Sequence, residues 1–198
     1  MNADYELIKN IERSIPCFDD YIAGEGCEGI EYPLDNEVRS ILFEQIASSE
    51  DADNFEIYKR IEEVKGLWAT LIKKSIITLR YFDKREPFYG NKEKYPIAYG
   101  VEELNSYFHK YVDFESALYG GTQYYRDHVV HVFRVWLLGI RLLLNKENKL
   151  LKQISIDDKC NTNAFEKLSV WTLIALTHDL GYPLEKAQEI IGKTRDMM

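Results

Sequence analysis

Cysteine is scarce in this chain. Cys17, Cys27 and Cys160 are the three present, an odd and scattered set that excludes the disulfide-dense scaffold of a small secreted domain and suits free thiols in a reducing cytosol. A Cys17–Cys27 pair stays open for an oxidising compartment. Positive charge is in deficit, since 25 Lys and Arg against 33 Asp and Glu leave a formal charge of −8. That balance argues against a nucleic-acid polymer as partner, because backbone binding needs clustered cations to displace counterions from phosphates. A small phosphorylated ligand held by a few local cations remains allowed. No uninterrupted apolar run reaches bilayer-spanning length, and the opening MNADYELIKNIER carries charge throughout, without the apolar segment of a secretory signal. The expectation is a soluble, cytoplasmic protein with no membrane partner.

What is present points to a packed fold. A hydrophobic content of 45% with 13% aromatics is globular rather than disordered, and 198 residues suffice for one domain, or one domain with an appendage. Apolar residues recur at helical spacing almost everywhere, and strand patterns are hard to place. Tyr5, Ile8, Ile11 and Ile15 define a short amphipathic helix that should stop near Pro16. Residues 16 to 33, with three glycines and two cysteines, read as an irregular connection. Asp35 is placed to cap a second helix with Val38, Ile41, Leu42 and Ile46 on one face. After the polar cluster at residues 48 to 54, a long third helix runs from Ile57 through Val64, Trp68, Leu71 and Ser75 to about Tyr81. Its Lys73, Lys74 and Arg80 read as a solvated face. Residues 83 to 100 carry two prolines and two glycines and predict a loop, and a further helix spans Val101 to Phe114, with Gly120 and Gly121 at its exit. The fold class is all-α, a helical bundle with short links.

Two stretches stand out. The first is VWTLIALTHDLGYP, Val170 to Pro183, whose apolar residues predict a helix buried nearly all round and ending at Gly181 and Pro183. His178 and Asp179 close it. A histidine and a carboxylate at the end of such a helix need a partner to offset desolvation, and the negative end of the helix dipole favours a cation there. The second is YYRDHVVHVFRVWLLGIRLLL, Tyr124 to Leu144, apolar on nearly every side from Val129. His128 and His131 lie on one face of it, and Asp127 is placed to hydrogen-bond His131 and leave its other nitrogen for a metal. His109, in SYFHKY, reads as an ordinary core histidine.

His131, then His178 with Asp179, resembles the H…HD signature of the HD-domain metal-dependent phosphohydrolases. His131-Val132-Phe133-Arg134-Val135 is similar to the family's H-x-x-x-V opening, and HDLGYP to its H-D-[ILV]-G-x-P run; His128 with Val132 offers a competing register. The resemblance covers residues 124 to 190, so the chain divides into an N-terminal helical region, 1–122, of unassigned role and an HD-domain-like core, 123–198. It implies a helical bundle with a mononuclear or dinuclear divalent site, Mn, Fe, Ni, Zn or Mg, in which His131, His178 and Asp179 are the metal ligands. It further implies a hydrolase of a nucleotide or other small phosphoester. Asp179, Arg126 and His128 are then the catalytic candidates, the last two neutralising charge on phosphate or protonating the leaving group; for Arg126 an ion pair with a neighbouring acid is the equal alternative.

The sequence departs from the family in two places. Its signature ends in a further downstream aspartate, for which Asp196, near a terminus prone to fray, is a poor substitute. Tyr182 also stands where some relatives have lysine, with Lys186 one turn later. Truncation of a longer chain is the expected reason; a degenerate site, or completion by Asp157, Asp158 or water, are the alternatives. Leu184 to Lys193 predicts a last short helix with an apolar face for missing chain or a second subunit to cover. Two competing readings stay open: a non-catalytic HD-like module that regulates through a bound nucleotide or protein partner, and a plain helical scaffold with hydrogen-bonded core histidines.

Overall fold

The computed structural model describes residues 2–23, 30–48, 55–82, 101–119, 128–145, 150–153 and 162–181, with Gln188 and Arg195. Helices make up nearly all of these, and no strand occurs among them. In chain order they are α1 (Ala3–Ile22), α2 (Asn36–Ser40), a π-helical continuation (Ile41–Ile46), a 3-10 turn (Ile57–Arg60) leading into α3 (Ile61–Phe82), α4 (Val101–Tyr119), α5 (His128–Leu143), α6 (Leu150–Gln153) and α7 (Ala164–Thr177). The all-α expectation holds. None of these helices is long and apolar enough to cross a membrane. The expected 83–100 loop, the glycines 120 and 121, and all of the expected 184–193 helix except Gln188 lie outside the described residues.

α1 corrects the first boundary. The helix does not stop at Pro16 but runs through it to Ile22. Proline removes the hydrogen bond to the Glu12 carbonyl, yet Pro16 sits on the exposed side, where water reaches that carbonyl. Ile15 and Phe18 meanwhile continue the buried face of Tyr5, Ile8 and Ile11, and their burial outweighs the lost bond.

The second helix starts where expected. Asp35 accepts from the Val38 amide at 3.2 Å, and Val38, Leu42 and Ile46 are fully buried. Ile41 is only half-buried, because the wider π turn, closed by Ala47 N–H donating to the Leu42 carbonyl at 3.1 Å, rotates the face. On α3, Val64, Trp68, Leu71 and Ser75 face inward as read, but so does Lys74, at 3% exposure. Lys74 is therefore not part of a solvated face. Its ammonium donates to Asp35 at 2.6 Å and pairs with Glu37 at 2.7 Å, so the carboxylate that caps α2 also supplies the counter-charge that makes burial tolerable. Desolvation opposes the charged form, and the bonds to Asp35 and Glu37 overcome it, raising the pKa.

Helices on both sides of residue 123 share one hydrophobic core, with α1 and α3 contributing alongside α5 and α7. α7 lies antiparallel to both α3 and α5: Trp68 donates to the Leu176 carbonyl at 3.2 Å while Phe82 meets Phe165, and Trp136 donates to Thr172 at 3.0 Å. α5 and α7 approach closely at Gly139, where a Cβ would stand 1.9 Å from the Trp171 ring. That ring donates to the Trp136 carbonyl at 3.2 Å. Across α5, Arg134 forms a two-pronged bond with the buried Asp4 of α1 at 2.8 and 2.7 Å. These contacts fix the axial register of α5 against α7, and so fix which residues meet at their ends.

Candidate metal centre

α7 begins with a reciprocal cap, in which Asn163 accepts from the Glu166 amide and Glu166 accepts from the Asn163 amide, each at 2.9 Å. Its buried face is Phe165, Leu168, Ser169, Thr172, Ala175 and Leu176. The expectation of burial all round is corrected here: Ile174 is 57% exposed, and Val170, Trp171 and Leu173 are half-buried. The helix also ends earlier than read, at Thr177, with His178 as its cap. Asp179 follows in a turn closed by Leu180 N–H donating to the Thr177 carbonyl at 3.2 Å. Ending the helix there lifts the carboxylate out of the α7 spiral and toward α5. The turn is held from a third side, because Tyr107 of α4 donates its hydroxyl to the Leu180 carbonyl.

The antiparallel register brings the start of α5 against this turn. One ligand atom each from His131, His178 and Asp179 lies within 4.8 Å of the others. His131 Nε2 is 3.9 Å from Asp179 Oδ2, and His178 Nε2 is 3.5 Å from Asp179 Oδ1. His178 Nδ1 lies 2.9 Å from the Ala175 carbonyl. A carbonyl can only accept, so Nδ1 donates in this contact and Nε2 is the nitrogen turned toward Asp179. This is the outer bond that ligating histidines usually make.

Of the two registers, the three-donor group takes in the preferred one, His131, whereas His128 is placed against the carboxylate. Its Nδ1 is 3.0 Å from Asp179 Oδ2, it stands outside the three-donor group, and its side chain, at 12% exposure, is the most enclosed of the four. Burial pushes the Asp179 carboxyl pKa up, but the His128 hydrogen bond and the proximity of His178, His128 and His131 more than reverse this. The carboxyl is held below the ordinary value and ionised at neutral pH.

Bonds of about 2.0–2.2 Å from nitrogen and oxygen to a small divalent ion put donors of one ion roughly 3–4.4 Å apart. The donor set thus needs only a small inward shift to close on one. Two imidazoles and one carboxylate are the N/O mixture that such ions accept.

Arg126, Asp127, Asp157, Asp158, Tyr182, Lys186 and Asp196 lie outside the described residues. His109 is exposed on α4 rather than in the core. Sequence reasoning missed Tyr107 and Trp68, which hold the carbonyls of Leu180 and Leu176 beside the site; neither has a local pattern that marks it, since each acts through a residue far along the chain. Compared with protein-family models, curated proteins and solved structures, the chain matches none.

Proposed function

We propose that this chain is a metal-dependent phosphohydrolase of the HD type, acting on a nucleotide or other small phosphoester. The observation that carries the proposal is the convergence of His131, His178 and Asp179 from two helices distant in sequence onto one point at the protein surface. The H…HD resemblance names the same three residues.

A divalent ion bound there lowers the pKa of coordinated water and polarises a phosphoryl oxygen. The chain's own groups do the rest. His131 and His178 offer ring nitrogens from two different helices. Asp179 brings negative charge and is kept ionised by its neighbours. The site is half-open, with side-chain exposures of 25% for His131 and 33% for His178. Arg126 is the proposed phosphate contact.

Elemental analysis of the full chain, purified without chelator, together with phosphate release from a panel of nucleotides and simple phosphomonoesters, tests the reading. A stoichiometric transition metal and phosphate release, both lost in His178→Ala, are expected. Metal without turnover across the panel would turn the reading to the regulatory module, and wild-type protein that takes up no metal would leave only the helical scaffold.

A further inference from the structure

We infer that His128 is a positioning residue, which sets the rotamer of Asp179 by holding Oδ2 and thereby presents Oδ1 beside His178 for a single ion. The inference rests on the metal-site reading above and says how that site is built.

His128 and His131 are one turn apart on α5, yet the structure separates their tasks. His131 Nε2 joins the three-donor group, whereas His128 lies outside it and directs Nδ1 at one carboxylate oxygen at 3.0 Å. A carboxylate oxygen can only accept, so Nδ1 is the protonated nitrogen in this contact. Asp179 follows the end of α7, in a turn whose backbone is fixed by the Leu180–Thr177 hydrogen bond and by Tyr107. With that backbone fixed, what remains to be set is the rotation of the carboxylate. His128 sets it: with Oδ2 held, Oδ1 lies 3.5 Å from His178 Nε2. The first turn of α5 therefore supplies one ligand and orients another that comes from α7. The three donor atoms form one group, which suits one ion.

The test separates hydrogen bonding from packing. His128→Asn loses the ring but keeps a donor nitrogen near the Nδ1 position, whereas His128→Phe keeps the ring volume and loses the donor. The full chain and both variants, stripped by chelator, are titrated with Co²⁺ by calorimetry, and thermal unfolding of the metal-free forms checks that each is folded. Wild type should bind one Co²⁺ per chain. His128→Phe should bind with an affinity lower by about 10–100-fold, the usual effect of losing an outer-shell partner, at unchanged stoichiometry, and His128→Asn should stay close to wild type. Equal affinity in His128→Phe and wild type would overturn the inference. So would two ions in wild type with one lost in both variants, which would make His128 a ligand. Wild type that binds no Co²⁺ would overturn the metal-site reading itself, a result distinct from either.

Discussion

Where α2 and its cap meet α3 and α1, Lys74 of α3 pairs with Asp35 and Glu37, and Arg39 of α2 meets Asp19 of α1 and Tyr32. Where α5 crosses the end of α7, three histidines meet one carboxylate. Both junctions gather ionisable groups, but they differ in what is left over. At the first, each enclosed cation has carboxylates within hydrogen-bond reach, and the Lys74 side chain is 4% exposed; the charge is consumed inside the fold. At the second, the outer nitrogen of His178 is occupied by a backbone carbonyl and the inner one faces the carboxylate. Donor atoms of His131, His178 and Asp179 gather there at a half-exposed surface. The first arrangement is a structural tie, and the second is the one that the proposed metal site would use.

If that contrast is right, damage to the two junctions should fall on different observables. Lys74→Met keeps the packing and removes the charge, leaving Asp35 without its counter-charge. It should cost about 3 kcal/mol of unfolding free energy, the low end for breaking a buried pair because Glu37 can turn to water. Denaturant titration reads the loss, and cobalt affinity should be unchanged; a fall in affinity of tenfold would collapse the distinction. Gly139→Ala joins the two regions through the fold, since the new methyl meets the Trp171 ring. Overpacking of about 1–3 kcal/mol is expected, and because it pushes α5 from α7, metal binding should weaken with it. Tyr107→Phe deletes one hydroxyl from the turn that carries Asp179. It should cost about 1 kcal/mol and change cobalt affinity only modestly.

The tie should also have its own pH signature. The pKa of Lys74 is raised above its ordinary value, so its contribution is fully present below the ordinary lysine pKa and disappears as pH climbs through the higher folded value. Wild type should lose stability on that alkaline limb more steeply than Lys74→Met, as followed by urea midpoints at successive pH. Parallel curves would mean that Lys74 is not the group responsible.

The same contrast governs what could be read in advance. The Asp35 cap and the inward face of α3 were legible because each rests on spacing within one helix or on a short run of residues. The grouping of His131 with His178 and Asp179 was expected only from the H…HD resemblance, since no local spacing joins two helices distant in sequence. The burial of Lys74 was not legible, because its partners come from a segment more than 30 residues earlier, and a lysine on a helix reads as solvated until its counter-charge is located. Pro16 misled because a local rule about helix ends ignores what the far side of the helix buries. α7 misled in the opposite way: Ile174 is apolar yet exposed, since hydrophobic content alone does not fix which face meets a neighbour. The task of His128 was hidden for a related reason. Two histidines one turn apart look alike until the opposing turn is in place.

X-ray absorption at the cobalt edge, on metal-loaded full chain and on His131→Ala, tests the central claim most directly. The wild type should show a shell of nitrogen and oxygen with two imidazole rings, and the variant one with a single ring. A shell made of oxygen alone, or two rings that persist in His131→Ala, would contradict it.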